Sequence, residues 1–221
     1  EMWNRKFPML IASRGFGKSY ILSVYAILRA LLMPGRKVII VGAAFRQSKI
    51  LFEYMDSIWK NSPILRDIVG GTGGPRRGVD MCRLTIGEST VTCLPLGDGS
   101  KIRGQRANDI IADEFASIPR QIFENVVAGF AAVSASPVEN VRRIASHKKA
   151  VELGQTNEEE KESHEEGANQ IILSGTAYYD FNHFADYWKK WKQIIKSRGC
   201  PKKLAELFGQ DDIPDGFDPH P

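Results

Sequence analysis

Cysteine is scarce in this sequence: Cys82, Cys93 and Cys200 are the only three in 221 residues. They are widely spaced, odd in number and form no CxxC pair, which suits reduced thiols in a cytosolic protein. The four histidines, His147, His164, His183 and His220, lack ligand-like spacing, so no structural metal site is expected. No apolar run reaches membrane-spanning length and no signal peptide opens the chain, so no membrane partner is expected. An excess of one charge is also missing. Thirty Lys and Arg against 26 Asp and Glu leave a net charge of +4, which permits a nucleic-acid partner without demanding one. What remains is ordinary globular material, 43% hydrophobic and 25% charged, enough for one domain with a small appendage. Because Glu1 stands only a few residues before an apparent core strand, a fragment of a longer protein is expected.

The apolar pattern gives an order of elements. A short apolar run at 7–12 leads into a glycine-containing loop. From 18 to 33, Ile21, Leu22, Tyr25, Leu28 and Leu32 recur at helical spacing until Pro34-Gly35 stops them. Val38-Ile39-Ile40-Val41 is apolar throughout, as in a strand buried on both faces of a parallel sheet. A second amphipathic helix follows, with Ile50, Leu51, Tyr54, Met55, Ile58 and Trp59 on one side. Strand, helix, strand, helix points to an α/β layered domain. Residues 70–80, "GGTGGPRRGVD", read as a flexible loop, 83–86 and 90–94 as a hairpin around Gly87-Glu88 or two short strands, and 109–112 as another apolar strand. Helices are expected over 121–133 and 138–153. An acidic tract, "NEEEKESHEE" at 157–166, reads as solvated chain. A buried strand at 171–173 and an aromatic amphipathic helix over 183–196 follow, and the tail 209–221 reads as a linker.

A different absence marks the loop "LIASRGFGKSY" at 10–20: the phosphate-loop pattern of a glycine, four residues, then Gly-Lys-Ser/Thr has Ala12 where the first glycine belongs. The working parts are nevertheless there. Backbone N–H groups at a helix start cradle phosphate, Gly15 and Gly17 permit close approach, Lys18 suits β/γ-phosphates, and Ser19 supplies a hydroxyl for Mg²⁺. The residues lining such a loop run from Ser13 through Arg14, Gly15, Phe16, Gly17, Lys18 and Ser19 to Tyr20. The competing reading is a chance GKS turn. A second element weighs against it: "NDIIADEFASIP" at 108–119 sets an apolar strand before Asp113-Glu114, the Walker B pattern. There Asp113 suits Mg²⁺ and Glu114 suits activation of a water, which favours hydrolysis over simple binding.

The loop "SRGFGKS", with Arg14 four residues before the lysine, resembles the Walker A loop of the large terminase subunits, the ATPases that package DNA into procapsids of tailed bacteriophages. "IRGQRANDIIADEF" at 102–115 and "ILSGTAYY" at 172–179 extend the similarity, so that the motifs span most of 6–180. The missing glycine is then a dialect of that family.

The resemblance implies a P-loop NTPase of the ASCE type, RecA/terminase-like, with a mostly parallel sheet flanked by helices and a small C-terminal helical lid. It implies an ATPase core over 1–180 and a lid and linker over 181–221, with no nuclease domain in this chain. It assigns Lys18, Arg14 and Glu114 to catalysis, and Arg103 to an arginine finger offered across a subunit boundary, with Arg106 as the alternative. Ser174, Gly175 and Thr176 fall on the coupling motif. Trp3, Arg5 and Lys6 are the candidates for a remnant of the adenine-binding segment. Cofactors would be ATP and Mg²⁺. Partners would be double-stranded DNA, the portal protein, the small terminase subunit and further copies in a ring, the isolated chain being monomeric. The place of action would be the host cytoplasm, docked on the procapsid. Arg76, Arg77, Arg142, Arg143, Lys148 and Lys149 are candidate DNA contacts, solvated surface charge being the equal alternative. Two rival functions stay open: a helicase-type translocase core and a slow nucleotide-dependent binding module.

Overall fold

The fully apolar run at 38–41 has its explanation in the middle of a sheet. In the computed structural model, which describes residues 2–69, 73–96, 107–124, 169–176, 182–198 and 200–208, seven strands form one sheet. They are β1 (Met9–Ile11), β2 (Lys37–Gly42), β3 (Gly74–Arg77), β4 (Cys82–Ile86), β5 (Ser89–Pro95), β6 (Asp109–Ala112) and β7 (Gln170–Gly175), in the order β1-β7-β6-β2-β5-β4-β3. Neighbours from β1 to β5 are parallel, and β4 and β3 are added antiparallel as a hairpin extension. The helices are α1 (Lys18–Leu32), α2 (Phe45–Asn61), α3 (Pro63–Val69), the single turn α4 (Arg120–Ile122), α5 (His183–Ser197) and α6 (Pro201–Phe208). This is the expected α/β P-loop architecture.

Period-2 alternation sends successive strand residues to opposite faces. Val38, Ile40 and Ile111 meet Leu22, Ala26, Leu51 and Met55 of α1 and α2 on one side. Ile39, Val41, Ile110 and Leu173 meet Phe115 and Phe184 on the other. Burial of several such side chains at about 1.5–3 kcal/mol each dominates the fold's stability.

Three details depart from the sequence reading. First, the sheet-facing side of α1 is Leu22, Ser23, Ala26, Ile27 and Ala30, while Ile21, Leu28 and Leu32 are exposed. Small residues let the helix lie close to the sheet, so the large apolar residues at helical spacing do not by themselves mark the buried face. Second, α2 buries Leu51, Phe52 and Met55 and leaves Ile50 and Tyr54 exposed. Third, 74–77 is not loop but the edge strand β3, where Pro75 is tolerated because an edge strand has one unpaired side.

The amino ends of the strands carry a buried polar cluster. Asp109 accepts from Arg29 Nε at 3.0 Å and Nη2 at 3.0 Å, and from Arg36 Nε at 2.9 Å and Nη2 at 2.7 Å. All three side chains are buried. Next to them the Gln170 amide donates to the carbonyls of Met2, Trp3 and Arg5, and the Tyr25 hydroxyl donates to Gln170 Oε1 at 2.6 Å. Trp3 packs on Tyr25 and on the Arg29 guanidinium. This corrects the reading of Trp3 and Arg5 as an adenine-binding remnant: both lie at the strands' amino ends, away from the phosphate loop, and tie the first residues to the sheet.

Candidate active site

Parallel strands bring their carboxyl ends to one edge, and there the loop after β1, the turn after β6 and the end of β7 meet. Gly15 and Gly17 have φ of 83° and 85°, in the left-handed region. A Cβ at Gly17 would meet nothing within 4 Å, so glycine is required there by backbone conformation, not by space. Gly17 caps α1, whose first residue is Lys18. The Ala12 N–H donates to the Gly175 carbonyl at 3.2 Å, which ties the start of the loop to β7.

Lys18 is buried and turned across the sheet end. Its Nζ donates to Asp113 Oδ1 at 2.6 Å and to Glu114 Oε1 at 2.8 Å. Burial works to lower the Lys18 ammonium, but the two carboxylates outweigh it and hold it above its ordinary value, so it stays charged. Asp113 Oδ1 also accepts from Ser174 Oγ at 2.7 Å. Residues 95 and 61 positions from Asp113 thus converge on one carboxylate oxygen. Glu114 is half-buried and has φ 49° and ψ 48°, a left-handed conformation for a non-glycine residue.

The other predicted residues distribute as follows. Ser13, Arg14 and Phe16 are exposed on the loop, Tyr20 is half exposed at the first turn of α1, and the Ser19 carbonyl accepts from Ser23 Oγ at 2.7 Å. Gly175 is buried and Thr176 half-buried. Arg76 and Arg77 lie on β3, at the sheet edge opposite β1, and so are remote from the loop. Arg103, Arg106, Arg142, Arg143, Lys148, Lys149 and the acidic tract 157–166 lie outside the described residues, as do the parts of the expected helices beyond residue 124 and the tail.

What the sequence reading missed is the connection from this site to α5. Phe115, the residue after Glu114, has its ring centroid 4.6 Å from Phe123, 5.0 Å from His183, 5.6 Å from Phe184 and 5.6 Å from Tyr187. Asn182 Nδ2 donates to the Ala116 carbonyl, and His183 Nε2 lies 3.1 Å from the Phe115 carbonyl oxygen. Burial, with the hydrogen bond to Glu124, pushes the Tyr187 hydroxyl up to about 12. A Cβ at Gly175 would come within 2.9 Å of Phe184. The available signal was the aromatic residue directly after the carboxylate pair, read together with the aromatic stripe of α5.

A family model described as the terminase large subunit, T4likevirus-type, N-terminal, matches residues 9–136. The chain belongs to this terminase family. Among solved structures, the large terminase of a thermophilic bacteriophage is similar at 13% identity with a TM-score of 0.56, over 86% of this chain and 38% of that one. The large terminase ATPase domain of Thermus phage P74-26 is similar at 14% identity with a TM-score of 0.50, over 87% of this chain and 65% of that one. Both likenesses concern the fold. The terminase chain therefore spans well under half of the first relative's length and about two thirds of the second's. No curated protein matches the sequence. Among the described residues no helix is long and apolar enough to cross a membrane.

Proposed function

We propose that this terminase chain binds ATP at the loop 13–20 and hydrolyses it to drive double-stranded DNA into a procapsid. The single observation that carries the reading is the convergence of Lys18, Asp113, Glu114 and Ser174 on one point at the carboxyl ends of the strands. Lys18 bridges both carboxylates with its single charge, and a bound polyphosphate offers it a competing anion. Transfer of Lys18 to the β/γ-phosphates frees Glu114 to accept a proton from the attacking water as its oxygen bonds to the γ-phosphorus and the bond to the ADP oxygen breaks.

The donor set fits Mg²⁺. Among the described residues no group of three or more His, Cys, Asp or Glu side chains could form a protein cage, and Mg²⁺ commonly takes one or two carboxylates and fills its shell with phosphate and water. Ser19 and Asp113 would hold the ion, which neutralises charge on the phosphates when bound. Arg14 acts on the nucleotide of its own subunit, while Arg103, or else Arg106, serves a neighbour's γ-phosphate in a ring. Portal and small terminase subunit are the expected partners in the host cytoplasm.

The test is ATP turnover by the full chain with Mg²⁺, with and without duplex DNA, for wild type and Glu114→Gln. Wild-type hydrolysis that DNA accelerates, with a variant that binds ATP but turns over about 10²–10⁴-fold more slowly, is expected. A wild-type rate indistinguishable from buffer, or an unimpaired variant, would sink the reading.

A further inference from the structure

The hairpin extension has two unlike faces. On the α2 side lie Cys82, Leu84 and Ile86, with Arg77 reaching Asp56 of α2 and standing over the Phe52 ring. On the other side the register sets Arg76 directly opposite Arg83. The next row of that face runs from Thr85 to Thr90 and on to Lys37 of β2. Arg76, Arg83 and Lys37 are exposed, the two threonines half-buried.

Two like charges directly opposite on adjacent strands have Cβ atoms about 5 Å apart and destabilise the pairing. Arg77, one residue on, has its charge met by Asp56. For Arg76 and Arg83, among the described residues, no carboxylate lies within salt-bridge distance, and the Arg83 guanidinium donates to the Met81 sulfur at 3.9 Å. Asp80 and Glu88 sit in the hairpin turns, not on the strands of this face. With a net charge of only +4 in the whole chain, a local pair of uncompensated guanidiniums is what gives this surface its sign.

We propose that this face, with Arg76 and Arg83 at its centre and Thr85, Thr90 and Lys37 beside them, is a docking surface for the phosphate backbone of double-stranded DNA. The proposal rests on the packaging reading and adds where the duplex is held. Guanidinium forks and hydroxyls are phosphate ligands, and the face has no apolar side chain in either row of the hairpin with which to bury a protein partner. Contacts of this kind carry no base information, as a motor that moves DNA of any sequence needs. Arg77 is withdrawn from the DNA contacts by its engagement with α2.

The experiment is anisotropy of a labelled mixed-sequence duplex titrated with the full chain at several salt concentrations. Four proteins are compared: wild type, R76A/R83A, R76K/R83K, and K202A/K203A, which removes two exposed cations of α6. Loss of two phosphate contacts should lower the slope of log affinity against log salt by about 1.8, equally for duplexes of different sequence. The lysine pair should keep most of the slope, because it keeps the charges, and the α6 pair should leave it unchanged. A wild-type slope in R76A/R83A, with DNA still bound, overturns this surface while the packaging reading stands, and points to an acidic protein as its partner. A slope lost equally in the α6 pair overturns it too, since the effect would be one of net charge. Wild-type protein that neither binds duplex nor responds to it in ATP turnover overturns both.

Discussion

Ser174 and Lys18 donate to the same oxygen of Asp113, at 2.7 Å and 2.6 Å. A hydroxyl from β7 therefore fixes the carboxylate that ends β6. A buried hydrogen bond to a charged acceptor contributes about 1.5–3 kcal/mol. Ser174→Ala should lower unfolding free energy in urea by about that amount. A midpoint and slope identical to wild type would mean that the hydroxyl does not hold Asp113.

Beside the phosphate contact proposed for it, Lys18 has a structural role as the cation of Asp113. With Lys18→Ala, Asp113 stays buried without its cation, and breaking a buried pair on one side costs about 3–5 kcal/mol. Glu114 is partly exposed, so Glu114→Gln should cost under about 1 kcal/mol. Thermal melts without nucleotide should therefore rank Lys18→Ala well below Glu114→Gln. The reverse order would place the lysine elsewhere.

The Asp56 pair sets a pH dependence. Burial works to raise the Asp56 carboxyl, but hydrogen bonds from Lys60 and Arg77 outweigh it and hold it below its ordinary value. A carboxyl depressed by folding stabilises the native state above its unfolded-state value, near pH 4, and that contribution is lost as pH falls through the lower folded value. Arg77→Ala should thus be less stable than wild type at neutral pH, and the gap should narrow on acidification below about pH 4. Melts collected across this range would show it. A gap that widens in acid would contradict the assignment.

The parts legible in the sequence were those with local causes. Apolar runs at 38–41 and 109–112 name buried strands by themselves, and the strand-loop-helix around Gly17-Lys18-Ser19 is written in consecutive residues. What escaped was set by distant partners. Arg29 is buried because Asp109, 80 positions away, neutralises it. Gly74-Pro75-Arg76-Arg77 has no strand propensity and becomes a strand because β4 offers a partner. The role of Phe115 is invisible until α5 is laid against it.

Gly175 and Phe184 yield a further expectation. A methyl at Gly175 must displace the Phe184 ring, which is 3% exposed and has little room to move. Gly175→Ala should shift α5 and change the emission of Trp188 and Trp191, with a stability loss of about 1–3 kcal/mol. Phe184→Leu in the same background should recover part of both. Spectra that do not respond to Gly175→Ala would show α5 to be indifferent to the end of β7.

Glu114 adopts a backbone conformation that costs a non-glycine residue about 1–2 kcal/mol. Asparagine tolerates that conformation better, so at this position the residue best suited to proton transfer and the residue best suited to folding differ. Sequence drift judged by foldedness alone would pull position 114 away from glutamate. On the proposed role its presence is a cost borne for turnover, and stabilising the turn by substitution should then trade melting temperature against catalytic competence.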